Sequence, residues 1–204
     1  MTSLFSMFVK LAGRKCLVVG GGPIAERKVE GLLAYGATVV VVAPEATEEV
    51  ARWSREGRLA WHARRFQSSD LEGVFLVIAA TGDNLANEQA FREAEAAGIL
   101  CNAVDEPEGC HFYYPAVVRR GPLQIAISTG GLSPALASRL RQELEEQFGL
   151  EYERWIEELG RMRQEAFARR ANPQRRTRLL HRLASRRGYE RFLRRERRRA
   201  GGSA

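Results

Sequence analysis

Lys15-Cys16-Leu17-Val18-Val19-Gly20-Gly21-Gly22-Pro23-Ile24-Ala25-Glu26-Arg27-Lys28 reads as a short buried strand, a run of three glycines and the opening of a helix. Ala25, Val29, Leu32 and Leu33 supply the apolar face of that helix, and Gly36 closes it. Residues 39–42, all valine, then begin a second strand. A strand, a glycine turn, a helix and a strand in this order let backbone approach a pyrophosphate closely and aim the helix N-terminus at its charge. The turn has the form Gly20-x-Gly22-x-x-Ala25, the variant with alanine at the third site. Alone it is a weak signal, and a tight turn with no ligand is the alternative. Its place between a strand and a helix favours dinucleotide binding.

Working outward, residues 1–112 alternate strand and helix signals. Residues 46–56 look helical and stop at Gly57, and residues 59–63 alternate weakly, as a third strand would. Residues 74–79 form a continuous apolar run, typical of a parallel strand covered on both faces. Residues 84–97 read as a helix ended by Gly98, and residues 99–104 as another central strand. This alternation predicts an α/β fold with a Rossmann-like, doubly wound parallel sheet. After residue 112 the pattern changes. Residues 116–119 and 123–128 look like paired strands about a Gly121-Pro122 turn. Ser133 caps a helix that opens on Pro134 and runs to about Phe148. Tyr152, Trp155, Ile156, Leu159 and Met162 share one face of a further helix, which Asn172-Pro173 interrupts. The expected organisation is a nucleotide-binding domain over 1–112, a strand–helix segment over 113–148, and a helical region over 149–204 with a poorly anchored, Arg-rich end.

Composition narrows the class. The chain has 204 residues, 45% of them hydrophobic, enough for a real core. Its apolar runs are far shorter than the roughly 20 residues that span a bilayer, so no membrane partner is expected. Leu4, Phe5, Met7, Phe8 and Val9 come without a basic leader or a cleavage site and do not read as a secretory signal. Cys16, Cys101 and Cys110 make no zinc pattern and no disulfide framework, which fits a reducing cytoplasm. The net charge of +7 hides an asymmetry: residues 169–199 hold 14 Arg against two Glu, a local +12 that leaves −5 for the rest. A solvated helical face is the ordinary meaning of such a run, binding of a polyanionic small molecule comes next, and nucleic acid third. No zinc finger, stacking sheet or recognition helix supports a nucleic-acid partner.

The candidate site residues follow from the fold. Gly20, Gly22, Pro23 and Ile24 fall at the pyrophosphate. The acidic residue that normally ends the second strand is replaced by Ala43-Pro44, with Glu45 just beyond, so Pro44 and Glu45 are left to meet the ribose. No Arg or Lys follows that strand to take a 2′-phosphate, which favours NAD over NADP. Ligands of open sheets lie at the carboxyl ends of the strands. Thr81 follows one central strand, and Asn102, Val104 and Asp105 end another. Thr81 and Asn102 could meet polar groups of the cofactor or simply cap strand ends. A carboxylate at Asp105 could take a proton while hydride leaves a substrate; a turn-forming Asp ahead of Glu106-Pro107 is the equal alternative. Ser128-Thr129-Gly130-Gly131-Leu132-Ser133-Pro134 is a second glycine cluster between strand and helix, with free N–H groups and hydroxyls suited to a carboxylate or phosphate. No His, Cys and carboxylate cluster announces a metal, and Cys110-His111 read as turn or buried residues.

Taken together, residues 16–28, Ile78-Ala79-Ala80-Thr81, residues 101–105 and residues 127–134 resemble the precorrin-2 dehydrogenases, often bifunctional as sirohydrochlorin ferrochelatases, that form the first module of siroheme synthase. The resemblance runs in order from residue 4 to about residue 148. It implies oxidation of precorrin-2, a tetrapyrrole with eight carboxylates, to sirohydrochlorin with NAD as cofactor. In some members ferrous iron is then inserted to give siroheme, and the resemblance leaves that second step open here. It also implies that Asp105 acts in catalysis, that Pro23, Ile24, Pro44 and Glu45 line the cofactor, and that a homodimer forms through residues 113–148. Thr129 falls where some relatives carry a phosphorylated serine. Ser128, Thr129, Gly130 and Ser133 would hold substrate carboxylates, with Arg119, Arg120, Arg139 and Arg141 attracting them. The competing class is a non-catalytic, NAD-sensing regulatory module, which would share the glycine turn but need neither Asp105 nor the second cluster.

Overall fold

The computed structural model describes residues 4–168 and 172–201, so the outermost part of the basic end and residues 169–171 lie outside the described residues. The chain forms two compact units, Met1–Tyr114 and Pro115–Ala204.

The first unit is a five-stranded sheet of β1 (Lys15–Val19), β2 (Thr38–Val42), β3 (Ala60–His62), β4 (Leu76–Ala79) and β5 (Leu100–Ala103). The strand order is β3-β2-β1-β4-β5 and every pairing is parallel. The order reverses at β1, where the chain leaves for β2 on one side and returns through β4 on the other. That switch point is where ligands bind in such sheets. Three helices cover the faces: α1 (Pro23–Ala34), α2 (Glu48–Arg55) and α3 (Asn84–Ala96).

Strand residues alternate between the faces with period two, and the two cores separate accordingly. Cys16, Val18, Val39, Val41, Leu76 and Ile78 pack with Ala25, Val29 and Leu32 of α1 and with Val50 and Trp53 of α2. Leu17, Val19, Val77, Ala79, Cys101 and Ala103 pack with Ala90 and Ala94 of α3 on the other side. The long apolar runs in the sequence are therefore strands buried on both faces. The run at residues 74–79 yields only four strand residues, because Val74 donates its N–H back to Leu71 O at 3.1 Å and closes a short 3-10 turn, Ser68–Leu71. The alternating sequence gave no sign of that turn, which Asp70 caps by accepting from Gln67 N at 2.9 Å.

The second unit begins with an antiparallel pair, β6 (Ala116–Arg120) and β7 (Leu123–Ile127). Ser133 caps α4 (Pro134–Gln147), its Oγ accepting from Leu136 N at 3.2 Å. Then come α5 (Glu151–Ala168), α6 (Pro173–Leu183) and α7 (Arg186–Gly201). The expectation of a poorly anchored basic end is corrected for α7. Its Tyr189 sits 4.7 Å from the Tyr152 ring and 4.8 Å from the Trp155 ring of α5, and its hydroxyl donates to Glu151 Oε1 at 2.5 Å. Phe192 is buried, and Arg195 and Glu196 pair with Glu158 and Arg154 of α5. Apolar residues spaced between the arginines bind this helix back onto its own unit.

Candidate functional site

The glycine turn leaves β1 and opens α1, and its three glycines do different work. Gly20 has φ +118°, and a Cβ there would lie 2.4 Å from Ala80 O, at the end of neighbouring β4. Gly21 is buried against the loop after β2: a Cβ would lie 2.3 Å from Glu45 O, and Thr47 N donates to Gly21 O at 2.9 Å. Gly22 meets nothing within 4 Å and stands exposed at the N-cap of α1. No side chain caps α1, whereas Thr47 caps α2 and Asp83 caps α3. Among the three described α-helices of this unit, then, the N-terminus without a side-chain cap is the one behind the exposed glycine. A negatively charged group fits there: backbone can approach it, the helix end favours it, and no Cβ intervenes. Pro23 and Ile24 flank this opening, both exposed.

Pro44 and Glu45 follow β2 on the same carboxyl edge of the sheet and are exposed. Beside them Trp61 Nε1 donates to Ala43 O at 3.0 Å and fixes the strand end. The loop after β3, adjacent to β2, brings a feature the linear reading missed: Arg64 lies near this edge. Its guanidinium is committed, however, donating to Asp70 Oδ2 at 2.8 Å and Oδ1 at 2.5 Å.

At the end of β4, Thr81 is held inside the protein's own network. Its hydroxyl lies 2.8 Å from Asn87 Oδ1 and from Asp83 O, and Asp83 N donates to it at 3.1 Å. Asn87 is almost fully buried and also accepts from Thr81 N at 3.0 Å. At the end of β5, Asn102 is buried, and its Nδ2 donates to Phe112 O at 2.8 Å. Both side chains thus have local structural partners.

Asp105 stands two residues beyond β5, exposed, with φ +64°, the only non-glycine residue with positive φ among the described residues. Asp tolerates this region better than most residues, but such outliers persist only where surroundings hold them, and they concentrate at functional sites. The segment that follows folds back on the strand end. Cys110 Sγ donates to Ala103 O at 3.1 Å, His111 N donates to Cys101 O at 2.8 Å, and Cys101 N donates to His111 Nδ1 at 3.0 Å. That last bond leaves the ring proton on Nε2, which faces Glu95 at 3.7 Å. Burial raises the Cys110 thiol above its ordinary range. Val104 packs partly against the α1 side of the core. In Glu106 the Oε1 atom is buried with no partner. Among the described residues no group of three His, Cys, Asp or Glu could hold a metal ion.

The structure therefore sets Gly20, Gly22, Pro23, Ile24, Pro44, Glu45, Thr81, Val104 and Asp105 along one carboxyl edge. Strands β1 and β5 have only β4 between them, so their ends lie about 10 Å apart.

The second glycine cluster belongs to the other unit. Gly130 and Gly131 have φ +62° and +83°. The expectation of free N–H groups is corrected here. Gly130 N donates to Ser128 Oγ at 3.1 Å, Ser133 N to Thr129 Oγ1 at 3.1 Å, and Leu132 N to Thr129 O at 3.1 Å. The loop consumes those N–H groups itself. Each hydroxyl is used as an acceptor, and its own proton remains available to donate. Three of the arginines assigned to substrate attraction have other tasks. Arg120 donates to Phe148 O at 2.6 Å and Glu145 O at 2.9 Å, capping the carbonyl end of α4. Arg139 pairs with Glu143 and Arg141 with Glu145, each at 2.6 Å.

One residue escaped the sequence reading. Lys28 recurs with Ala25 and Leu32 on the inward stripe of α1, a lysine at a position of apolar period. It is half-buried, and its Nζ lies 3.6 Å from the centre of the Tyr114 ring.

Comparison with known proteins agrees with this architecture. Residues 7–116 match a family described as putative NAD(P)-binding, and residues 120–147 match the sirohaem biosynthesis protein central family. The chain is 45% identical over 139 residues to a siroheme synthase of Photorhabdus laumondii, covering 68% of this chain and 30% of that one. It is 48% identical, with the same coverage, to a siroheme synthase of Methylobacillus flagellatus. The chain thus spans about 30% of the length of these relatives. A solved structure titled SirC, precorrin-2 dehydrogenase, superposes with a TM-score of 0.77 at 30% identity, covering 90% of each chain. Among the described residues, no helix is long and apolar enough to cross a membrane.

Proposed function

The chain belongs to the precorrin-2 dehydrogenase family of siroheme biosynthesis, with a nicotinamide-cofactor-binding domain, and we propose that it oxidises precorrin-2 to sirohydrochlorin with NAD. The observation that carries this reading is Asp105: an exposed carboxylate in a left-handed conformation, on the same carboxyl edge as the glycine turn.

Bound NAD would supply the hydride acceptor. The chain's own part is binding, orientation and proton removal. Gly22 and the open N-terminus of α1 receive the pyrophosphate, and Pro44 and Glu45 border the ribose. Asp105 takes the proton that the tetrapyrrole loses as hydride departs, so the substrate gives up two electrons and two hydrogens in all. NAD is favoured over NADP because Arg64, the guanidinium beside the β2 end that a 2′-phosphate could use, is already bonded twice to Asp70. Ser128, Thr129 and Ser133 donate their hydroxyl protons to substrate carboxylates. Ferrous iron insertion, in which two pyrrole protons must leave, would use the exposed carboxylate of Asp105 as their acceptor. Residues 113–148 form the homodimer contact in this reading, which light scattering of the full chain tests.

The decisive experiment is Asp105→Asn, followed by NADH production from precorrin-2. Asn keeps the shape and tolerates the left-handed backbone. Turnover should fall by about 10²–10⁴-fold with NADH affinity unchanged. Full turnover in this variant removes the base assignment. Incubation of the wild type with sirohydrochlorin and ferrous iron, without NAD, tests iron insertion separately.

A further inference from the structure

Lys28 has a side chain that the cofactor reading does not use. It lies five residues into α1 from Pro23, roughly 7 Å along the axis from the N-terminal opening where the pyrophosphate would sit. Its ammonium is half-buried on the face of Tyr114, 3.6 Å from the ring centre. An ammonium carries three N–H donors, and a ring face satisfies none of them as an acceptor atom would. Among the described residues its ammonium makes no hydrogen bond and no ion pair besides this ring contact. Desolvation by burial, and next the charge of Arg27, hold the amine below the ordinary lysine range, while Asp105 and Cys110 pull the other way. Lys28 is therefore electrostatically coupled to Asp105 without being paired to it.

That arrangement answers a problem posed by the substrate. A molecule with many carboxylates must bring one ring carbon near a site whose loop carries Asp105, Glu106 and Glu108. Like charges at close range in a partly desolvated setting repel strongly. A fixed cation beside the base offsets that repulsion and gives one substrate carboxylate a place to bind. Tyr114 serves as the platform: cation–π contact holds the ammonium in place while its donors stay open on the other side.

Resting on the tetrapyrrole reading above, we propose that Lys28, held on the Tyr114 ring beside Asp105, is a carboxylate-binding residue for the substrate. The interaction is a charge-assisted hydrogen bond from the ammonium to a peripheral carboxylate of the macrocycle.

The test uses the full chain, with sirohydrochlorin as probe and without NAD, followed by fluorescence titration in wild type, Lys28→Met and Lys28→Arg. Methionine keeps the length and the apolar contact with Tyr114 and removes the charge. Lys28→Gln, measured alongside, serves if the Met variant does not fold. Loss of the charge should weaken sirohydrochlorin about 10–30-fold, leave NADH affinity within about two-fold, and raise KM for precorrin-2 more than it lowers kcat. Arginine should recover most of the affinity. Wild-type affinity should also fall with salt more steeply than that of the Met variant. Equal affinity in wild type and Met variant overturns the proposal alone, as does equal weakening in Met and Arg variants. A wild type that binds NADH but neither binds sirohydrochlorin nor oxidises precorrin-2 overturns the substrate reading, and the proposal with it.

Discussion

Gly22→Ala separates cofactor binding from folding, because the three glycines of the turn face different surroundings. At Gly22 the backbone is extended, φ −79° and ψ −177°, and an added Cβ meets nothing within 4 Å. Alanine there gains about 0.4–1 kcal/mol by restricting the unfolded chain and loses up to about 1 kcal/mol as a poorer N-cap. The two nearly cancel, so the melting temperature should stay within about 2–4 °C of wild type. The methyl group does occupy the open space in front of the α1 N-terminus. An anion pushed back from these N–H groups loses the helix-end attraction and part of a charge-assisted bond, about 1–2 kcal/mol, or roughly 5–30-fold in affinity. Gly20→Ala is the contrast. Its φ of +118° and a Cβ 2.4 Å from Ala80 O force β1 and β4 apart, with backbone strain of about 1–3 kcal/mol and a further 1–3 kcal/mol, roughly, of overpacking. Thermal melts and titration of tryptophan-to-NADH energy transfer read both variants. A Gly22→Ala protein that binds NADH as wild type does would refute the assignment of this turn to the pyrophosphate. A Gly20→Ala protein of wild-type stability would refute the packing argument.

Two further expectations follow from buried groups. Asp70 is almost fully buried, and the Arg64 hydrogen bonds, opposed by burial and aided by the Gln67 N–H, hold its carboxyl below the ordinary carboxylate range. A depressed folded-state value means its contribution is complete above the unfolded value and is lost as pH falls through the folded one. Asp70→Asn should therefore lower stability by about 2 kcal/mol at neutral pH, and the gap to wild type should narrow only below about pH 4; a gap constant down to pH 2 would count against the pair. Burial pushes the Cys16 thiol up to about 11 and the Cys101 thiol up to about 12, and raises Cys110 as well. In the native protein all three should react slowly with a disulfide reagent at neutral pH and rapidly on unfolding; one fast native thiol would show that its shell opens.

The sheet was legible because its strands are short apolar runs set between glycine stops. Val39–Val42 and Leu76–Ala79 can be buried on both faces and nowhere else, and Gly36, Gly57 and Gly98 end the preceding helices with φ near +70°. What escaped was set by tertiary partners rather than by local pattern. Nothing in Arg64 or Asp70 taken alone announces their pairing, and Arg120 looks like any basic residue until α4 ends beside it. The anchoring of α7 hangs on Tyr189 and Phe192, two aromatic residues that a count of arginines conceals. Lys28 could have been found, since a charged residue on the apolar stripe of a helix calls for a reason.

The left-handed backbone of Asp105 was the least legible feature and the most informative one. A residue in that conformation costs on the order of 1 kcal/mol or more and persists only where its neighbours over-determine it. Here they do. Asn102 ties the returning segment to β5 through Phe112 O, His111 exchanges two bonds with Cys101, and Cys110 closes on Ala103. Gly109 is drawn so close that a Cβ would lie 2.9 Å from that of Ala103. Four hydrogen bonds at one strand end close off the six residues between Ala103 and Cys110, and Asp105, second in that loop, carries the strain. A turn built only to connect elements has no need of such restraint, since a relaxed backbone and a solvated carboxylate would serve as well. A base must be held within about half an ångström of its working position, and side chains packed beneath the loop supply that precision. Asn102 Nδ2 ties that loop to the strand end; with Asp105 as the proposed base, Asn102→Ala should lower kcat without changing NADH affinity, and loss of NADH binding instead would return Asn102 to the cofactor.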